Sequence, residues 1–237
     1  MTGIATRKGL RGLLFDKDGT LFDFQASWGG WAADLVLELA GNDADLADAA
    51  SALIRLDRAA RRFYPDSVAI AGTADEAAAA LHPGLPHLSQ DEILFTMIER
   101  SRGLAPVEAA PLAPLLSQLK EAGFLLGVAT NDSEDPARAQ LAGLGVESVF
   151  ELIIGADSGH GAKPDPGQCL AFADAIGVAP GEVAMIGDST HDLLAGAAAG
   201  MVPVAVLTGT ASEADLSSHA EVVLPDIGHL PAWLGVV

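Results

Sequence analysis

The sequence predicts an α/β fold in which a doubly wound parallel sheet carries an inserted helical region. From about residue 107 onward, short apolar runs alternate with helical patterns, as in a parallel sheet covered by helices on both faces. The apolar run at residues 12–15 has no partner strand near it in the sequence. Residues 24–103 contain helical patterns and no alternating strand pattern.

The first apolar run has the pattern of a strand that is buried on both faces. It stops at Asp16, Lys17, Asp18 and Gly19. Strands of open α/β sheets end at the edge where ligands bind, and alternation along an extended chain puts Asp16 and Asp18 on the same side. Asp-Gly is also a common turn dipeptide, so this stretch alone leaves an ordinary acidic turn open.

Residues 24–103 are predicted to form a self-contained bundle of about four helices, near residues 28–39, 43–63, 73–81 and 89–102. Trp28 and Trp31 are expected to pack in the core of this bundle rather than to line a substrate site. Four arginines cluster near its second helix and form either an exposed helix face or a grip for an anionic substrate: Arg55, Arg58, Arg61 and Arg62.

The second half of the chain supplies the remaining sheet. Strands are predicted at residues 124–129, 149–155, 183–187, 202–207 and 222–224. Helices are predicted at residues 111–122, 135–142, 166–176 and 191–199. Because the run at 12–15 has to join this sheet, the predicted domains are a core of residues 1–23 and 104–237 and a helical insertion of residues 24–103.

The composition excludes several classes of function. The 13 basic and 32 acidic residues give a formal net charge of −19, which repels nucleic acids and anionic membranes. Residues 1–10 lack the apolar segment of a signal peptide and no run reaches the length of a membrane span, so we expect a cytoplasmic protein. Cys169 is the only cysteine, which excludes an intrachain disulfide and predicts a buried, unreactive thiol.

Polar side chains follow three of the predicted strands. Thr130 and Asn131 come after one strand and suit the oxygens of an anion, although they also suit a helix N-cap. Lys163 lies in a glycine-rich loop before a helix, where a solvated lysine is the alternative. Asp188 ends another strand, and Asp192 lies one helical turn further on.

These strand ends predict a single acidic crevice that contains Asp16, Asp18, Asp188 and Asp192. Two like charges roughly 4 Å apart repel by about 4 kcal/mol at an effective dielectric constant near 20. Such a cluster therefore needs a cation. Carboxylate oxygens with room for water and phosphate suit Mg²⁺, which predicts a magnesium site next to an anion-binding lysine.

Together these motifs resemble the haloacid dehalogenase superfamily, in particular its phosphatase branch and the phosphoglycolate phosphatase-like members. The resemblance rests on four motifs in order: Asp16-Lys-Asp-Gly-Thr-Leu21, Thr130-Asn131, Gly161-Ala-Lys-Pro164 and Gly187-Asp-Ser-Thr-His-Asp192. It implies a Rossmann-like core and identifies the insertion at residues 24–103 with the family's helical cap.

The resemblance also implies catalytic roles. Asp16 attacks phosphorus and forms an aspartyl-phosphate, which splits the hydrolysis into two steps. Asp18 protonates the leaving alcohol and then activates the water that cleaves the intermediate. Thr130 and Lys163 hold the phosphoryl oxygens in the transition state, and Asn131 adds a phosphate contact.

The implied Mg²⁺ ligands are the carboxylates of Asp16 and Asp188 and the backbone carbonyl of Asp18. Asp192 is expected to act through a metal-bound water or by orienting Lys163.

Comparison within the superfamily favours a phosphatase for a small phosphorylated metabolite, either phosphoglycolate-like or a sugar phosphate. Dehalogenases lack an aspartate at the position of Asp18, and carbon–phosphorus cleavage needs a cap lysine, which residues 24–103 do not contain. A phosphomutase of the same fold is one alternative, and a noncatalytic protein that binds metal or phosphate is another. A monomer and a homodimer both remain open.

Overall fold

The computed structural model describes residues 9–236. Up to residue 123 the elements are β1 (Gly12–Phe15), α1 (Phe24–Leu39), α2 (Ala44–Leu53), β2 (Leu56–Asp57), β3 (Arg62–Phe63), α3 (Val68–Ala71), α4 (Ala74–Leu81), α5 (Gln90–Ser101) and α6 (Leu112–Glu121). The elements that follow are β4 (Leu125–Ala129), α7 (Glu134–Gly143), β5 (Leu152–Ile154), α8 (Gly167–Ile176), β6 (Val183–Gly187), α9 (Thr190–Ala199), β7 (Val202–Val206), α10 (Glu213–Leu216), β8 (Val222–Leu224) and α11 (Leu230–Leu234).

The sheet has six strands in the order β5-β4-β1-β6-β7-β8, and every neighbouring pair is parallel. Strand β1 lies in the middle, with Leu13 opposite Leu126 of β4 and Ala184 of β6. The prediction that the first apolar run joins a distant parallel sheet is therefore confirmed, and so is the predicted α/β, Rossmann-like fold class.

Helices cover both faces of this sheet, which explains why its strands are apolar on both sides. Leu13 and Phe15 of β1 belong to a buried cluster with residues of α6, α7 and α11. Leu14, on the opposite face, packs with residues of α8 and α9, including Phe172. Because all six strands are parallel, their carboxyl ends meet at one edge, which is where ligands bind in such sheets.

Helices α1 to α5 form a separate layer with its own apolar cluster, in which Val36, Ala50, Leu81 and Ile93 are buried. The two segments that join this layer to the sheet run side by side: the Asp23 N–H donates to the Val107 carbonyl at 2.8 Å. The Ser27 hydroxyl accepts a hydrogen bond from the Val107 N–H at 2.9 Å.

The prediction of one helix over residues 43–63 is wrong. Helix α2 ends at Leu53, and β2 and β3 then form a short antiparallel hairpin. Arg55 and Arg61 both adopt φ of 55°, a left-handed conformation that interrupts a helix. Leu56 and Phe63, paired across the hairpin, are buried in the apolar cluster of the helical layer, and their burial favours this conformation.

Residues 1–8 and Val237 lie outside the described residues. Two expectations concern them in part: that the core extends over residues 1–23 and 104–237, and that residues 1–10 lack a signal-peptide segment. Within residues 9–236, no helix has the length and apolar character needed to cross a membrane.

Candidate active site

Three aspartates meet at the carboxyl edge of the sheet. Asp16 follows β1, Asp188 follows β6, and Asp192 lies in the first turn of α9. One carboxylate oxygen from each of the three lies within 4.8 Å of the others, and all three residues are buried. The structure thus brings together aspartates from the first and last predicted motifs.

Lys163 joins this cluster from a loop between β5 and α8. Its Nζ donates hydrogen bonds to Asp16 Oδ1 at 2.6 Å, to Asp192 Oδ1 at 2.6 Å and to the Ala129 carbonyl at 2.8 Å. The side chain is almost completely buried. An ammonium group has three donors, so every donor of Lys163 has a partner.

Asn131 fixes the loop that carries Lys163. Its Oδ1 accepts from the Lys163 N–H at 2.8 Å, and its Nδ2 donates to the Lys163 carbonyl at 2.9 Å. The same Nδ2 donates to the carbonyl of Ala71 in the helical layer at 2.8 Å. Because these contacts occupy the amide, its direct contact with phosphate stays a prediction.

The adjacent Thr130 lines the same cavity and is buried. Its hydroxyl oxygen accepts a hydrogen bond from the Asp132 N–H at 3.1 Å. The hydroxyl proton is free to turn toward an anion, so the position fits the clamp role that the sequence predicts.

Asp192 is held by the start of its own helix. Ser189 and Asp192 form a capping box, in which Asp192 Oδ2 accepts from the Ser189 N–H at 3.0 Å and from its hydroxyl at 2.7 Å. The other oxygen, Oδ1, accepts from Lys163. Asp192 is therefore placed to orient Lys163, one of the two roles that the resemblance implies.

Two glycines allow the backbone to pack against Asp188. A Cβ on Gly209, in the loop after β7, would lie 1.7 Å from Asp188 Oδ2, and one on Gly19 would lie 2.3 Å from it. Thr208 ties the two segments together by donating to the Gly19 carbonyl at 2.6 Å. Thr20 donates to Asp188 Oδ1 at 3.2 Å. The sequence analysis did not identify the loop after β7 as part of the site.

Burial and mutual repulsion set the ionisation of the cluster. Burial raises the pKa of the Asp16 carboxyl to about 7, although the Lys163 ammonium opposes this shift. Burial, followed by repulsion from Asp16, raises the pKa of Asp188 well above its usual range. Burial alone would lower the pKa of Lys163, but Asp16 and Asp192 outweigh it and hold the pKa above its usual value.

The donor set fits a hard divalent cation. Asp16 and Asp188 offer carboxylate oxygens, the ligand type that Mg²⁺ prefers, and a positive ion would offset the burial and the repulsion that raise their pKa values. Asp192 is less available as a ligand, because Lys163 and Ser189 already engage its two oxygens.

Asp18 belongs to a second network that the sequence analysis missed. The Nζ of Lys17, which has no exposed surface, lies 2.6 Å from Asp18 Oδ2 and 3.1 Å from Asp132 Oδ2, and donates to Gln140 Oε1 at 2.7 Å. Gln140 in turn donates to the Ser101 carbonyl at the end of α5. A lysine between two aspartates at the end of a buried strand was the available signal, since such a charge needs partners once it is buried.

Trp28 and Trp31 do more than pack in the helical layer, which corrects the expectation for these two residues. Both contact its apolar cluster, and both also line a cavity that opens onto Asp16 and Asp18. The Trp28 Nε1–H donates to Asp18 Oδ1 at 2.6 Å. The helical layer therefore supplies a direct hydrogen bond to the predicted acid/base residue.

That cavity lies between the sheet edge and the helical layer. It encloses about 1000 Å³ of atom-free space, including its opening to solvent. Asp16, Thr130, Lys163 and Asp188 line its base, and mostly apolar side chains of the helical layer line the rest. His191 is half-buried and lines the cavity too, with its Nδ1 3.1 Å from the Ala71 carbonyl.

Comparisons with known proteins show which family this chain resembles. A family model described as haloacid dehalogenase-like hydrolase matches residues 10–200. The phosphoglycolate phosphatase of Rhodospirillum rubrum is 36% identical over 162 residues, which cover 64% of this chain and 67% of that protein. The phosphoglycolate phosphatase of Escherichia coli K12 is 28% identical over 246 residues, which cover 96% of this chain and 93% of that protein.

Solved structures share the fold. CbbY from Rhodobacter sphaeroides, in complex with phosphate, matches with a TM-score of 0.70 and 20% sequence identity. The match covers 95% of this chain and 99% of the CbbY chain. A HAD family hydrolase from Deinococcus radiodurans R1, with bound phosphate and sodium, matches with a TM-score of 0.67 and 22% sequence identity. The match covers 98% of this chain and 99% of that hydrolase.

Proposed function

Because this chain belongs to the haloacid dehalogenase-like hydrolases, we propose that it hydrolyses a small phosphomonoester with Mg²⁺ through an aspartyl-phosphate on Asp16. The one observation that carries the proposal is the position of Asp16. Its carboxylate lies at the base of a cavity. It accepts a hydrogen bond from Lys163 and has an oxygen within 4.8 Å of an Asp188 carboxylate oxygen. Phosphoglycolate phosphatases are among its relatives.

Asp16 is the proposed nucleophile. One of its oxygens accepts from Lys163, which orients the carboxylate and opposes the rise in its pKa that burial causes. Attack on phosphorus breaks the ester bond to the alcohol and leaves the phosphoryl group on Asp16. Thr130 and Lys163 line the same cavity and are the proposed donors to the phosphoryl oxygens.

Asp18 is the proposed acid and base. It gives a proton to the leaving alcohol oxygen and then takes one from the water that hydrolyses the aspartyl-phosphate. Trp28 and Lys17 hold one oxygen each of this carboxylate, which supports a fixed orientation toward the cavity.

Mg²⁺ would be held by Asp16 and Asp188 together with the backbone carbonyl of Asp18, and when bound it neutralises charge on the phosphoryl group. Asp192 orients Lys163 rather than meeting the substrate, in accordance with its two short contacts. Asn131 positions the Lys163 loop and is also a proposed phosphate contact.

We further propose that residues 24–103 act as a lid over this site and that residues 1–23 and 104–237 form the catalytic core. The two linker segments near Asp23 and Val107, which run side by side, would form the hinge. Movement there would admit water after the alcohol leaves. We also propose that the substrate is a small phosphorylated metabolite, that the protein is cytoplasmic, and that it is a monomer or a homodimer.

The phosphomutase alternative requires a lid that holds a second phosphate. Three of the four arginines clustered at residues 55–62 are instead paired with exposed carboxylates, which supports hydrolysis: Arg55 with Asp66, Arg58 with Asp48 and Arg61 with Asp34. The noncatalytic alternative predicts metal binding without turnover.

Phosphate release from a small phosphomonoester tests the proposed function. We expect release with Mg²⁺ and none after EDTA. Asp16→Asn should fold like the wild type and release no phosphate, whereas the matched control Asp174→Asn, an exposed aspartate on α8, should keep full activity. Turnover by Asp16→Asn would remove Asp16 as the nucleophile, and wild-type protein that binds Mg²⁺ without turnover would be noncatalytic.

A further inference from the structure

We propose that the preferred substrate carries one phosphate and an uncharged, apolar alcohol moiety, rather than a second anionic group or a sugar. This inference rests on the phosphatase function proposed above. Its basis is the wall of the cavity that faces away from the aspartates, where the leaving alcohol would lie.

That wall is apolar. It is built mainly from the helical layer, and its large side chains include Trp31, Val36, Ile54, Ile70, Met97 and Ile98. An apolar alcohol moiety placed there loses contact with water and gains packing contacts, both of which favour binding. The cavity is open to solvent, so an alcohol moiety can extend from the phosphate along this wall.

No described residue of the cavity wall offers a free cation for a second anion. Lys163 is the one lysine or arginine that lines the cavity, and its three donors already serve Asp16, Asp192 and the Ala129 carbonyl. In a substrate complex this lysine is committed to the phosphoryl group. His191 is the remaining group that can become cationic, and its Nδ1 already faces the Ala71 carbonyl.

The four arginines at residues 55–62 do not supply the missing cation. Arg55, Arg58 and Arg61 form ion pairs with carboxylates at the surface, at 3.0, 2.7 and 2.7 Å respectively. Arg62 is exposed, and none of the four lines the cavity. The carboxylate of phosphoglycolate would therefore be buried without an opposite charge, which is strongly unfavourable.

Polar groups of the wall already form hydrogen bonds within the protein. The Trp28 Nε1–H donates to Asp18, and the Ser101 hydroxyl donates to the Ile98 carbonyl. The Thr73 hydroxyl caps α4 and contacts Glu76. A sugar would bury several hydroxyl groups against these occupied donors, so it loses hydrogen bonds to water without replacing them.

Rates with three esters, each with Mg²⁺, test this inference: phenethyl phosphate, phosphoglycolate and ribose phosphate. We expect kcat/KM for phenethyl phosphate to exceed the other two values at least tenfold, which corresponds to about 1.4 kcal/mol. If phosphoglycolate or ribose phosphate equals it, this inference is wrong and the phosphatase function stands. If no ester is hydrolysed, the phosphatase function falls, and this inference with it.

A cation placed in the wall provides the converse test. Met97 lines the cavity and is half-buried, so Met97→Lys puts an ammonium group where a substrate carboxylate would lie. The ratio of kcat/KM for phosphoglycolate to that for phenethyl phosphate should rise at least tenfold relative to wild type. The control Met97→Gln, of similar length without charge, should leave the ratio within about threefold. Equal shifts in the two variants would contradict the role of charge.

Discussion

Replacing Lys17 with methionine tests how far the buried ion network stabilises the site. Lys17 Nζ lies 2.6 Å from Asp18 Oδ2 and 3.1 Å from Asp132 Oδ2, and each attraction amounts to roughly 5–6 kcal/mol at an effective dielectric constant near 20. The cost of burying the ions offsets most of this gain. Removing one partner from a buried pair nevertheless typically costs about 3–5 kcal/mol, because the other charge is left unpaired.

The expected loss should appear as a lower melting temperature. For a chain of this size, about 3–5 kcal/mol corresponds to roughly 6–20 °C. The loss should also depend on pH. Burial raises the pKa of Asp132 and Lys17 opposes that shift, so without Lys17 the folded-state pKa rises further above the unfolded value. The folded variant then binds more protons than the unfolded chain, and its stability falls as pH rises between those two pKa values.

Thermal melts of Lys17→Met at mildly acidic and mildly alkaline pH measure both effects, with the larger loss expected at alkaline pH. Lys120→Met is the matched control, because Lys120 forms a partly exposed pair with Glu151 and should change stability by less than about 1 kcal/mol. If Lys17→Met melted like Lys120→Met at both pH values, the network would not stabilise the fold as argued.

Three further predictions concern the site. Trp28→Phe removes the hydrogen bond to Asp18 and keeps an aromatic ring, so kcat/KM should fall roughly tenfold or more while the melting temperature changes little; unchanged kcat/KM would exclude a role for this bond. Gly209→Ala should displace the Asp188 carboxylate and abolish phosphate release, whereas Gly143→Ala, with no atom within 4 Å of the new Cβ, should keep it; an active Gly209→Ala would refute the close packing. Mg²⁺ should raise the melting temperature of the wild type and EDTA should reverse the rise, whereas Asp188→Asn should respond to neither; an equal response would place the ion elsewhere.

The sequence predicted the sheet well because its strands are short apolar runs, and β1, β4 and β6 are each followed directly by a polar residue. Predicted strands 183–187 and 222–224 coincide with β6 and β8. The same rule placed Asp16 and Asp188 at one edge, since parallel strands end together. The roles assigned to these residues, and the division into core and lid, remain proposals.

Contacts between distant residues were beyond the sequence. Arginine has no preference for the left-handed conformation that Arg55 and Arg61 adopt, so the hairpin was read as a helix. Likewise, the local sequence does not show that Lys17 lies beside Asp132, because adjacent pairing of β1 and β4 creates that contact. Nor does it show that the Trp28 indole reaches Asp18, because packing of the helical layer on the sheet creates that contact.

Trapping the covalent intermediate tests the central proposal most directly. The protein is mixed with a phosphomonoester and Mg²⁺, quenched in acid during turnover, and mapped by peptide mass spectrometry. We expect the mass of one phosphoryl group on the peptide that contains Asp16, and its absence in Asp16→Asn. A phosphoryl group on another residue, or steady turnover with no trapped phosphoryl group on Asp16, would contradict the proposal.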